Sequence, residues 1–197
     1  MIKSRDQAAK AAAEASFLVQ QVSDYLTVSP QDVWHARLRF PRGFIGTAAD
    51  KRRNLPFIED ETLKRNVSYA LMTHDVLRWL IFHTDLSGQA REMIIKESVC
   101  LLGSICESIS IFPEEHGLGR GAGYKKRVIR LVEMKVIDKK VKRRLDWLWD
   151  KRNQEHLYDV PFREFDHYVN GDWYRAVKAY RLLRDGLIAW RCPDLLR

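Results

Sequence analysis

Two residue types near the end of one predicted helix could do chemistry together. The segment over residues 126–158 reads KRVIRLVEMKVIDKKVKRRLDWLWDKRNQEHLY. On a helical wheel with Val141 at zero, Leu145 falls at about 40°, Leu148 at about 340°, Arg152 at about 20° and His156 at about 60°. An apolar seam therefore runs into an arginine and a histidine. A guanidinium offers a fixed fork of N–H groups that matches phosphate or carboxylate oxygens. An imidazole gains and loses a proton near neutral pH. A cation on a core-facing stripe is unfavourable unless it is paired or faces an opening. Two readings follow. Either the helix end lines a cleft where both side chains act, or Arg152 pairs with an internal carboxylate and His156 is a hydrogen-bonded core histidine.

Charge points to a class of partner. The 197-residue chain carries a net +8, and from Lys125 to Arg152 twelve Lys/Arg stand against four Asp/Glu. That one stretch equals the excess of the whole chain, so a basic surface for a polyanion is expected there, unless the run is only a solvated helix face. Trp147 and Trp149 flank Leu148, so at least one leaves the seam, either to stack on bases or to pack on a neighbouring helix.

Other chemistries find no motif. Cys100, Cys106 and Cys192 make an odd count with no C-x-x-C and no histidine at ligand spacing. A reducing compartment and no zinc site are expected. The glycine-rich stretch over 114–124, EEHGLGRGAGY, lacks the Gly-Lys-Ser/Thr ending of a phosphate loop, and Ala122 stands where a dinucleotide fingerprint needs glycine. It is read as a loop, and no cofactor or metal is expected. No stretch approaches 18 apolar residues and the N-terminus has no apolar run, so neither a membrane span nor a signal peptide is expected, and a cytoplasmic location is.

The helix–break–helix with Ile137-Asp138 at its turn, the leucine-spaced second helix, and Arg152, Asn153 and then His156 near its end resemble the HEPN superfamily. The resemblance implies an all-α bundle, found in metal-independent endoribonucleases and in inactive RNA- or nucleotide-binding modules. It implies RNA as partner, and a homodimer in which two copies of the motif build a composite site. Arg152 would stabilise charge on the phosphorane, His156 would move the proton of the RNA 2′-hydroxyl, and Asn153 would hold backbone or substrate. Lys140, Arg143, Arg144 and Lys151 would track the phosphate backbone. His156-Leu157-Tyr158 also resembles the His-x-Tyr ending of HEPN toxins paired with nucleotidyltransferase antitoxins, where the tyrosine is the modified residue. Here three residues separate Arg152 from His156, one fewer than the family's usual minimum of four. A second pair, Arg78 and His83, has four between them, but Trp79 follows the arginine and the helix reads as core, so a structural role is expected.

The elements that position these residues read as helices almost throughout. Helices are expected over 6–28, 61–84, from Ser87 to Phe112-Pro113, 124–136, 139 to about 157 and 172–190, with a short one over 32–38. Asp138 is expected to cap the basic helix and Asn170 the last one. Residues 40–59, with Pro41, Gly43, Gly46 and Pro56, read as a loop. The expected architecture is a single all-α domain: an N-terminal helix and loop over 1–59, then a bundle over 60–190, of four to six helices in all. Three function classes remain at this level: a ribonuclease, a silent HEPN-like binding module, and an unrelated helical interaction protein.

Overall fold

Glu61–His83 forms a long helix because Val67, Leu71, His74 and Ile81 recur at helical spacing and bury one face. Asp60 starts it, its carboxylate accepting from the Thr62 and Leu63 N–H groups at 2.9 and 3.1 Å. In the computed structural model, which describes residues 1–111, 118, 121–155 and 167–196, this helix is the third of seven and no strand occurs among the described residues. The helices are α1 (Arg5–Val28), α2 (Ala48–Arg53), α3 (Glu61–His83), α4 (Gly88–Ile109), α5 (Tyr124–Glu133), α6 (Lys139–Asn153) and α7 (Asn170–Arg191). Short 3₁₀ turns cover Pro30–Trp34 and Pro193–Leu196. The fold is an all-α bundle, as expected.

The chain divides into two units, Met1–Arg42 and Gly43–Arg197. The first is α1 and the 3₁₀ turn. Ser4 Oγ caps α1 by accepting from the Gln7 N–H at 3.2 Å. No residue of α1 is buried, and Phe17, Leu18 and Tyr25 are exposed. The helix expected over 32–38 is instead the turn Pro30–Trp34, with proline at its first position, where the missing N–H is harmless.

The second unit holds the core. α4 lies at its centre, packed on α3, α6 and α7. Ile95, Val99, Leu102, Ile105, Cys106 and Ile109 are almost wholly buried. Gly103 sits where α4 meets α6: a Cβ there would lie 2.7 Å from the Arg152 Cβ. Three expectations are corrected. Residues 48–53 are helical, started by a capping box in which Thr47 Oγ1 accepts from the Asp50 N–H and Asp50 accepts from the Thr47 N–H. Leu55, Phe57 and Ile58, from the same presumed loop, are core. Ile129, which the sequence pattern places inside with Val128, Leu131 and Val132, is 44% exposed, because α5 is covered on one side; Tyr124, Val128 and Leu131 are buried there and Val132 is partly buried against the core.

The α5–α6 turn is the best-defined local device. Lys135 takes φ +60°. The Val136 N–H donates to the Leu131 carbonyl (2.9 Å) and the Lys135 N–H to the Val132 carbonyl (3.0 Å), the paired bonds of a Schellman ending. Asp138 then caps α6, accepting from the Val141 N–H at 2.7 Å. α7 starts at Asn170 itself, so its cap lies one residue before the expected one. Val169 is its N-cap, with its N–H donating to Asp172 at 3.1 Å, and Asn170 Oδ1 accepts from Arg91 at 2.8 Å instead.

Candidate functional site

α6 is one turn shorter than its sequence pattern. Its seam of Val141, Leu145 and Leu148 is buried within the single chain, so it offers no free apolar stripe to a second copy. The helix ends at Asn153, where the Gln154 N–H turns back to the Lys151 and Arg152 carbonyls. His156 and Tyr158 lie outside the described residues. The wheel that set His156 one turn above Arg152 does not extend beyond Asn153.

Arg152 follows the structural reading. Its guanidinium pairs with Glu107 on α4 at 3.3 Å and sits 5.2 Å from the Trp149 ring centroid. The side chain is 27% exposed. Its stem lies over Gly103, which brings the two helices together. Asn153 is exposed at the helix end. Lys151 lies 4.6 Å over the Tyr168 ring, and the Tyr168 hydroxyl donates to Gln154 Oε1 at 2.9 Å.

The cations of α5 and α6 divide into two groups. Lys125 pairs with Asp150 (2.9 Å), Arg130 with Glu133 (2.9 Å) and Lys142 with Asp146 (2.5 Å). The Asp150 hydrogen bond raises the Lys125 pKa. Arg127 is buried, donating to Ser110 Oγ and to the Ala122 carbonyl. The second group is Lys126, Lys135, Lys139, Lys140 and Arg143, all exposed, with half-buried Arg144. None of these six has an ion pair among the described residues.

Their order along α6 sets a surface. At 100° per residue, Arg143, Trp147, Lys140, Lys151 and Arg144 fall in succession within about 100° of one flank. Trp147 is half-buried under Arg175 of α7, whose guanidinium is 4.1 Å from its ring. Trp149 lies on the other flank, stacked on Tyr124 at 4.6 Å. So one α6 flank joins α5, while the other presents cations around a tryptophan.

A second cluster was not anticipated. Lys51, Asn54, His74, Asp75, Arg78, Trp173, Tyr180, Arg181 and Arg184 line a cavity of about 150 Å³ walled by α2, α3, α4 and α7. Asp75 is buried, pairing with Lys51 at 2.6 Å and Arg78 at 3.8 Å and accepting from the Gly46 N–H at 3.0 Å. His74 stacks on Trp173, ring centroids 5.7 Å apart. Burial brings the His74 pKa down to about 4. Asp75 opposes that shift, while Arg78, Lys51 and Arg181 add to it, so the ring is neutral at pH 7. Arg78 had read as part of the core. Its guanidinium instead lies 4.6 Å over the Phe44 ring, whose edge meets His83 at 5.0 Å. The signal was present but weak: His74, Asp75 and Arg78 span one turn of α3, and their partners come from two other segments, Phe44, Gly46 and Lys51 before it and Trp173 on α7.

No group of three or more His, Cys, Asp or Glu among the described residues could hold a metal ion. No helix among them is long and apolar enough to cross a membrane. Comparison of the chain with protein-family descriptions, with curated proteins and with solved structures finds no match to any of the three.

Proposed function

We propose that this chain is an RNA-binding helical bundle of the HEPN-like kind, holding the phosphate backbone on the basic flank of α6. The observation that carries the reading is that Lys140, Arg143 and Arg144 have no carboxylate partner among the described residues and fall, with Lys151, around Trp147. A solvated helix face normally intersperses its charges, as the other flank of α6 does with Lys142–Asp146 and Lys125–Asp150. Backbone cations bind any sequence by releasing condensed counterions, and an amphipathic ring among them gives bases a surface to stack on. RNA rather than DNA is the partner that the HEPN resemblance implies.

Binding is placed ahead of cleavage because of Arg152. A guanidinium already tied to Glu107 at 3.3 Å must leave that carboxylate before it can stabilise a phosphorane. A two-fold pair and an antitoxin acting on Tyr158 belong to the cleavage reading and are not needed for this one.

Fluorescence anisotropy with a single-stranded RNA oligomer tests the proposal. Affinity should fall linearly on a log–log plot against salt, with a slope near 0.7 per phosphate contacted. Replacing Lys140, Arg143 and Arg144 together with Gln should weaken all sequences alike and flatten that slope by roughly two. An unchanged slope removes the reading. RNA cut in EDTA to 2′,3′-cyclic phosphate ends, with cutting lost in His156→Ala, replaces it with the endoribonuclease.

A further inference from the structure

We infer that the cavity between α3 and α7 is a binding site for a phosphate or phosphomonoester group, separate from the basic flank of α6. The argument starts from groups left without partners. His74 and Trp173 are 8% and 7% exposed, and among the described residues His74 Nε2, Trp173 Nε1 and Arg78 Nε are buried and make no hydrogen bond. All three residues line the one cavity. The indole and guanidinium N–H groups can only donate, so the missing partner must be an acceptor. A buried donor with no acceptor is unfavourable, and native structures leave few.

Charge then selects the acceptor. Lys51, Arg78, Arg181 and Arg184 stand around the cavity against Asp75. Asp75 has its oxygens engaged by Lys51, Arg78 and the Gly46 N–H, and Arg184 is paired with Asp185 at 2.6 Å. Arg181, exposed on the rim, has no ion pair among the described residues. Donors without acceptors, within a net positive wall, fit an oxyanion better than a neutral amide or a cation. Apart from the Asn54 amide, the rest of the wall is apolar: Leu71, Leu102, Val177, and the Trp173 and Tyr180 rings. About 150 Å³ admits a phosphate and leaves room against the rings for a small organic substituent, which is why the class extends to phosphomonoesters.

The test uses the full chain and two probes, inorganic phosphate and phenyl phosphate, with binding read by calorimetry and by the NMR signal of the Trp173 indole N–H. That signal is assigned by its loss in Trp173→Phe. The expected result is one site per chain, with the Trp173 indole N–H moving on titration. Arg181→Ala, on the exposed rim, should weaken binding several-fold and Trp173→Phe about tenfold, each charge-assisted hydrogen bond being worth roughly that much. Arg143→Ala, on the α6 flank, should leave phosphate affinity unchanged. Tighter binding of phenyl phosphate makes a phosphomonoester the ligand class, and equal binding restricts it to phosphate. Failure of both probes to bind at about 10 mM overturns the site. So does binding that Arg143→Ala weakens and Arg181→Ala does not. Should Trp173→Phe unfold, Arg181→Ala and the calorimetric affinity of the wild-type chain still decide.

Discussion

Arg152 shows how one side chain can satisfy a chemical pattern for a structural reason. Its position after Leu148 on a buried seam is what a core-facing helix end produces when Glu107 waits on the neighbouring helix. Gly103 permits the approach, and the contact is with Cβ, so no rotamer change relieves it. Gly103→Ala should therefore destabilise the fold by about 1–3 kcal/mol in urea unfolding, and Arg152→Ala in the same chain should not restore it, because alanine keeps the Cβ. His74 gives a second outcome at this scale. Its folded pKa of about 4 lies below the ordinary 6.5, so the unfolded chain binds its proton more readily. That contribution is complete above pH 6.5 and is lost as pH falls towards 4, on the order of 2–3 kcal/mol, and a His74→Gln chain should lack this part of the acid slope. The histidine was legible as part of the α3 stripe. Its neutrality was not, because Trp173, Arg181 and Lys51 close over it from distant segments.

Between the helices, starts were easier to read than stops. Asp138 before the basic run is an acidic cap in plain view and bonds as expected, and Asp60 before Glu61 caps α3 in the same way although it was not among the expected caps. The end of α6 carries no such mark. Gln154 and Glu155 favour helix, so the pattern runs on to Pro161, whereas the chain turns after Asn153. In 40–59 the prolines and glycines hid the Thr47–Asp50 box and the core residues Leu55, Phe57 and Ile58, since an apolar run this short has no period to detect. The α5–α6 turn supports a further outcome. Lys135 holds a left-handed conformation that glycine adopts without steric penalty, so Lys135→Gly should stabilise the protein by about 1 kcal/mol, seen as a rise in the urea midpoint at unchanged m. The gain should disappear in a chain where Asp138→Ala has already loosened the start of α6, if the turn and the cap act as one unit.

Across the molecule, the material of the fold is unevenly distributed. Every buried hydrophobic residue lies at or after Leu55, and the stretch Lys125–Arg152 alone carries a net charge equal to that of the whole chain. A chain beginning at Gly43 should fold alone, with one cooperative thermal transition close to that of the full chain, because it retains the whole core. A broad transition, or one lowered by more than about 4 °C, would mean that the first unit contributes more than about 1 kcal/mol. The boundary read from the sequence at 59/60 lies later than the division after Arg42, because Leu55, Phe57 and Ile58 pack into the core. The phosphate-sized cavity was not legible, because its wall is assembled from four helices and each contributes only one to five residues.

The three thiols turn the bundle into its own opening gauge. Cys106 is fully buried, its thiol pKa pushed far up, and Cys100 is 1% exposed with its Sγ directed at the Lys151 carbonyl at 3.7 Å; Cys192 is partly open at the end of α7. A thiol reagent meets the native protein at one place only. Any slower reaction then counts excursions in which α4 parts from α6, and its rate reports how often the centre of the molecule lets solvent in. Arg152 and Gly103 stand at that same crossing, so loosening them should quicken the second and third sulfurs and leave the first as it was.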